Sequence, residues 1–152
     1  MRTWNLDTDS LFFLTLACDS RLSSVDYSND QIWELSFSNN EPAGISFQTT
    51  YGLRARQIRF LPRFTLHDES FNDPKHFKAS PVIKSFFPNY AAISFQPFSG
   101  LEAFAEYWIS DSYSAAGRIK FSNLENKPLS FHFEWIGILN PLESGSNMVA
   151  TQ

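Results

Sequence analysis

A chain of 152 residues with a single cysteine and a net charge of -4 fits one domain that buries its core without disulfide staples. The acidic balance argues against nucleic acid or an anionic membrane as partner, since both draw on a basic field, and no run approaches the ~20 apolar residues of a membrane-spanning helix. Sixteen Phe, four Trp and five Tyr against two Met make the apolar content aromatic, which favours pleated surfaces over helix stripes.

The first apolar run, Leu11 to Cys18, has the look of a secretory core, but Asp7 and Asp9 stand where a signal peptide needs positive charge. Cys18 reads instead as a buried inert thiol. An oxidising compartment is neither required nor excluded, and cytoplasmic residence is the expectation. Asp19 to Asp30 is rich in Asp, Ser and Asn, side chains that compete with regular backbone pairing and mark a loop. Trp33, Leu35 and Phe37 then alternate with polar residues, and Asn39 to Pro42 forms a turn into Ile45, Phe47 and Thr49. This pattern predicts a hairpin. Ile58, Phe60, Pro62 and Phe64 alternate with Gln57, Arg59, Leu61 and Arg63, and the proline places this strand at an edge or a bulge.

From Leu66 to Pro81 the period is lost, and Asp73 before Pro74 signals at most one short turn of helix. Val82 to Phe87 is apolar on both parities, as expected of a strand covered on both sides. Ala91, Ile93 and Phe95 precede the turn Pro97 to Gly100, which leads into Leu101 to Ile109. The last regular unit is predicted as a long hairpin, Gly117 to Ser122 with Leu129 to Trp135, burying Ile119, Phe121, Phe131, Phe133 and Trp135 on one aromatic face. Seven or eight such strands at short spacing predict an all-β fold, an antiparallel two-layer β-sandwich over residues 1–141. Residues 142–152 read as a flexible tail or linker, a composition expected where a domain joins a longer protein.

Candidate chemistry gathers in two places. Between Leu101 and Ile109 one strand face carries Glu102, Phe104, Glu106 and Trp108, carboxylates beside aromatic rings, as in a sugar site. As a glycosidase pair Glu102 and Glu106 fail, because four residues of strand separate them by about 13 Å against about 5 to 9.5 Å for the working geometries. Glu106 with Glu134 from a neighbouring strand is the remaining carboxylate pair, and a solvated polar face is the plain alternative. The second place is Tyr51 to Arg59, where Arg54, Arg56 and Arg59 stand close together with Arg63 following. Guanidinium forks suit carboxylates, phosphates or a partner seam, whereas outward charge on an edge strand is the structural alternative. His67, His76 and His132 lack metal-ligand spacing. Arg118 or Lys120 is placed to meet His132 or Glu134 if the final hairpin forms.

The run Gln48 to Arg56, the tetrad Ala105, Glu106, Tyr107, Trp108 and the segment Ala116 to Asn123, followed by Pro128, Phe131 and Phe133, together resemble the N-terminal β-sandwich of bacterial glycoside hydrolases and phosphorylases with an (α/α) barrel. The resemblance spans Ile32 to Pro141. It implies a sandwich of the galactose-mutarotase-like supersandwich type, packed on a catalytic domain of the same longer protein and contacting carbohydrate, with no catalytic residue of its own. On this reading Glu106, Trp108, Arg54, Arg56 and Tyr51 contact substrate, with neither metal nor cofactor, and Arg54, Arg56 and Arg59 rim an uncovered apolar patch. The alternatives are a freestanding carbohydrate-processing enzyme using the carboxylate face, and a self-associating structural domain pairing through an edge strand.

Overall fold

The computed structural model describes residues 4–5, 13–18, 21, 32–38, 43–49, 55–112 and 114–141. Among these are eleven strands: β1 (Trp4–Asn5), β2 (Phe13–Leu16), β3 (Trp33–Ser38), β4 (Gly44–Thr49), β5 (Ala55–Leu66), β6 (Glu69–Phe71), β7 (Ala79–Phe87), β8 (Tyr90–Gln96), β9 (Leu101–Asp111), β10 (Ser114–Asn123) and β11 (His132–Pro141). A 3₁₀ turn at Pro74–His76 is capped by Asp73, whose carboxylate accepts from the Lys75 amide at 3.0 Å. All pairings are antiparallel, in a five-stranded sheet ordered β1-β7-β8-β9-β10 and a six-stranded sheet ordered β11-β5-β4-β3-β2, with β6 beside β5. The chain is an all-β, two-layer sandwich.

Period-two patterning decides what lies between the layers. On β9 Leu101, Ala103, Ala105, Tyr107 and Ile109 are buried, while Glu102, Phe104, Glu106 and Trp108 take the outer face. Across the layer, Leu14 and Leu16, Trp33, Leu35 and Phe37, Ile45 and Phe47, and Phe64 face them from the six-stranded sheet. Ring contacts bind the two sheets directly: Phe64 meets Phe95 edge-on at 5.9 Å, and Phe47 meets Tyr107 at 5.1 Å. Burial of these rings is the main stabilising term, about 1.5–3 kcal/mol for each fully buried large side chain.

The hairpin of β3 and β4 forms in the expected register, Trp33 opposite Thr49 through Ser38 opposite Gly44. The final hairpin does not form. β10 pairs with β9 and β11 pairs with β5, so the two strands are edges of different sheets and residues 124–131 cross from one layer to the other. The aromatic face is nevertheless real. Phe121 meets Phe131 at 5.3 Å and Phe133 at 5.1 Å, across the layers rather than across a ladder. Alternation dictates which residues share a face, not which strand lies alongside. The crossing segment is fixed by Asn123, whose side chain donates to the Lys127 carbonyl at 2.7 Å and accepts from the Glu125 amide at 2.9 Å.

Three further expectations change. β5 is central rather than an edge: Pro62 stands opposite Trp135 of β11, and on its other flank it falls between the end of the β4 ladder at Phe60 and the start of the β6 ladder at Phe64, an interval where a missing amide costs no ladder bond. The aperiodic stretch after Leu66 contains β6, reached through a two-residue turn in which His67 and Asp68 both adopt positive φ, 49° and 68°, as a tight hairpin requires. β7 is not covered on both sides. Register shifts between Ala79 and Val82 and between Ile83 and Ser85 break its parity, leaving Phe86 and Phe87 42% and 58% exposed.

Candidate functional site

The outer face of the five-stranded sheet gathers the residues that the sequence singles out on β9. Residues directly opposite in a ladder share a face, so the register can be followed in rows. One row runs Phe87, Tyr90, Trp108, Ala116 across β7, β8, β9 and β10. The next contains Ala92, Glu106 and Arg118, and the one after it Ser94, Phe104 and Lys120. Three aromatic side chains therefore stand side by side over about 10 Å of sheet width, two strand spacings, with Phe87 and Tyr90 in ring contact at 6.2 Å. Beside them an open hollow of about 600 Å³ is lined by Glu102, Phe104, Glu106, Arg118, Lys120 and Ser122.

Glu106 is the hub of this face. Its Oε1 accepts from the Tyr90 hydroxyl at 2.7 Å, and its Oε2 pairs with Arg118 Nε. The Arg118 hydrogen bond, aided by the one from Tyr90, holds the carboxyl below the usual carboxylate range. Burial and then the Glu106 hydrogen bond push the Tyr90 phenol up to about 12. Such a carboxylate stays ionised and acts as an acceptor, whereas a general acid needs a raised value. Its ladder neighbours are Ala92 and Arg118. The expected approach of Glu134 does not occur: Glu134 belongs to β11 in the other sheet, where Arg63 Nε donates to it at 2.7 Å and His132 lies 3.6 Å away. Arg118 and Glu134 thus each find partners other than those the hairpin would have given them.

The arginine segment divides. Tyr51 and Arg54 lie outside the described residues, and Arg56 falls within β5 without a described side chain. Arg59 does not rim an open patch. It is only 4% exposed, donates from Nε to Ser46 Oγ at 2.7 Å, and is desolvated enough to lower its pKa. Its ladder neighbours are Gln48 of β4 and Ile138 of β11. Among the described residues no group of three His, Cys, Asp or Glu is placed to hold a metal ion, and no helix is long and apolar enough to cross a membrane.

A second recess opens between the layers, where the edge strands β10 and β11 of the two sheets lie. It has a volume of about 190 Å³ and is lined by Trp33, Phe47, Phe60, Tyr107 and Trp135, with Ala115 and Gly117 on the β10 side. Small residues create it. Gly117 stands opposite Tyr107 and Gly137 opposite Phe60, and Phe60 and Trp135 are left 41% and 46% exposed, while Trp33, Phe47 and Tyr107 stay buried behind them.

The sequence does not single out Phe87 or Tyr90 on the outer face, nor Trp33 and Tyr107 in the recess, and it offers Arg118 to His132 or Glu134 rather than to Glu106. The adjacency of Phe87 and Tyr90 across the turn Pro88–Asn89 was available as a signal, hidden by treating Val82 to Phe87 as doubly buried. Comparison of the chain with protein-family models, with curated proteins and with solved structures yields no match.

Proposed function

We propose that this chain is a non-catalytic β-sandwich module of a carbohydrate-active enzyme, a glycoside hydrolase or phosphorylase, that presents the outer face of its five-stranded sheet to glycan. The observation that carries the reading is the row Phe87, Tyr90, Trp108 beside the row of Glu106 and Arg118. Aromatic rings stack on the apolar faces of sugar rings, and an ionised carboxylate beside a guanidinium supplies an acceptor and donors for hydroxyls. Support for a non-catalytic role comes from Glu106, whose two oxygens are both engaged and whose nearest strand neighbours offer no second carboxylate. The catalytic chemistry then belongs to a partner domain of the same longer protein, and a cytoplasmic setting goes with this reading.

The test is binding of cellohexaose, xylohexaose, maltohexaose and chitohexaose by calorimetry, with Trp108→Ala as control. Saturable binding to at least one, weakened about tenfold or more in the variant, is the expected result, as for truncation of an aromatic anchor. Binding to none of them, or binding untouched by Trp108→Ala, would sink the proposal.

A further inference from the structure

The outer face of the five-stranded sheet repeats its chemistry along β9. Trp108 and Glu106 form one set with Arg118, which stands opposite Glu106 on β10, and Phe104 and Glu102 form a second with Lys120, which stands opposite Phe104. Each set holds a ring, a carboxylate and a cation. The four β9 side chains are partly exposed and both cations are exposed. Because alternate residues of a strand share a face, the two rings stand on the same side about 13 Å apart, four residues of strand. The first set is braced, since Glu106 accepts from the Tyr90 hydroxyl at 2.7 Å and pairs with Arg118. Apart from Trp108, every member of both sets lines the open hollow, so the two sets are continuous.

On the reading that glycan binds this face, we infer from the repeat that the site is an elongated one laid along β9 and β10, and that its occupant is a neutral, linear oligosaccharide long enough to reach from Trp108 to Phe104. Its direction follows from where the polar groups stand. Across the strands the row Phe87, Tyr90, Trp108 ends at Ala116, and the Tyr90 hydroxyl is already spent on Glu106, so a chain lying that way would meet rings with few partners for its hydroxyls. Along β9 each ring has an acceptor and a cation beside it, so apolar sugar faces and hydroxyls are served together. The length follows from spacing and volume. About 13 Å of strand is more than one sugar ring covers, and the hollow of about 600 Å³ is roughly four times the cavity of about 150 Å³ that takes up benzene. The charge follows from balance: Glu102 and Glu106 are set against Arg118 and Lys120 in the lining. A glycan bearing carboxylates would meet two groups of its own sign, and so would one bearing amines.

The experiment titrates the full chain by calorimetry with cellohexaose, xylohexaose, maltohexaose and chitohexaose, with the disaccharide of each, and with hexagalacturonate and hexaglucosamine as charged hexamers. A neutral hexasaccharide is expected to bind about tenfold or more tighter than its own disaccharide and than either charged hexamer. Phe104→Ala is expected to weaken that binding about tenfold, as truncation of a second aromatic anchor, and Phe87→Ala to weaken it less. Lys120→Ala, at an exposed position, is expected to weaken it about threefold or more, the worth of one polar contact, and serves as the second probe if Phe104→Ala disturbs the sheet. Equal binding of disaccharide and hexasaccharide, tighter binding of a charged hexamer, or a larger loss in Phe87→Ala than in Phe104→Ala overturns the inference. So does unaltered binding in Phe104→Ala or in Lys120→Ala. A hexasaccharide whose binding needs Trp108 but not Phe104 leaves glycan on this face and removes only its path along β9, whereas binding of no hexasaccharide removes both.

Discussion

The seam between β10 and β11 is sealed at one end and open at the other, although the same two strands form both. At the sealed end Phe121 locks against Phe131 and Phe133 with Phe64 behind them, at centroid distances of 5.1 to 6.0 Å. At the open end β10 supplies Ala115 and Gly117 where it might have supplied rings, and β11 supplies Gly137 opposite Phe60. The backbone ladders run through both regions, with one register shift at the open end between Ser114 and Ala115. Space in this sandwich is thus made by omission of side chains, not by a gap in the sheets, and the rings left bare become the walls of a recess.

That contrast can be broken first at Phe64, which is fully buried and touches Phe95, Phe121 and Phe133. Phe64→Ala is expected to cost about 3–5 kcal/mol, read from urea unfolding. A loss below about 1 kcal/mol would mean that the sealed end is not tightly packed. Gly117→Ala comes next, with an expected cost of about 1–3 kcal/mol because its Cβ has no room against the β9 backbone. At the open end Trp135→Ala is expected to cost under about 1 kcal/mol, since that ring is nearly half exposed. A loss as large as that of Phe64→Ala would erase the distinction between the two ends.

A smaller effect concerns the carboxylates outside the seam. The hydrogen bond from Arg118 lowers the pKa of Glu106, and that from Arg63 lowers the pKa of Glu134. A depressed folded-state value means that the stabilisation is present above the ordinary carboxylate value of about 4.5 and is lost as pH falls through the lowered values. Acid unfolding monitored by tryptophan fluorescence is expected to begin at higher pH in Arg118→Leu, by a small margin because exposed ion pairs contribute little. At the alkaline side the Tyr90 phenol, raised to about 12, stabilises the fold fully below its ordinary value of 10.0. That contribution is lost as pH rises through about 12. The ultraviolet titration of Tyr90→Phe is expected to lack one late-titrating phenol.

Much of this organisation was legible in the residues. The β9 alternation separated Tyr107 from Glu106 and Trp108, and the turn between Phe37 and Ile45 set the register of β3 and β4. What was not legible depends on contacts distant in sequence. The strand beside Phe133 is β5, some seventy residues earlier, as Phe133 opposite Phe64 shows, and no local pattern names it. Arg59 reads as an outward charge until Ser46 of β4 is seen accepting from it and β11 is seen on its other side, with Ile138 opposite. The aromatic row on the outer face required the bulges of β7, which turn Phe87 towards the side of Tyr90 and Trp108.

The tryptophan indoles report on both recesses at once, Trp108 from the outer face and Trp33 and Trp135 from the open end of the seam. The most direct measurement is therefore the indole N–H spectrum of the protein during titration with the hexasaccharides. The expected result is a saturable shift of the Trp108 resonance by at least one glycan, with Trp33 and Trp135 unmoved. A glycan that shifts Trp33 and Trp135 instead, or a panel that moves no indole, would contradict the assignment of carbohydrate to the outer face of the five-stranded sheet.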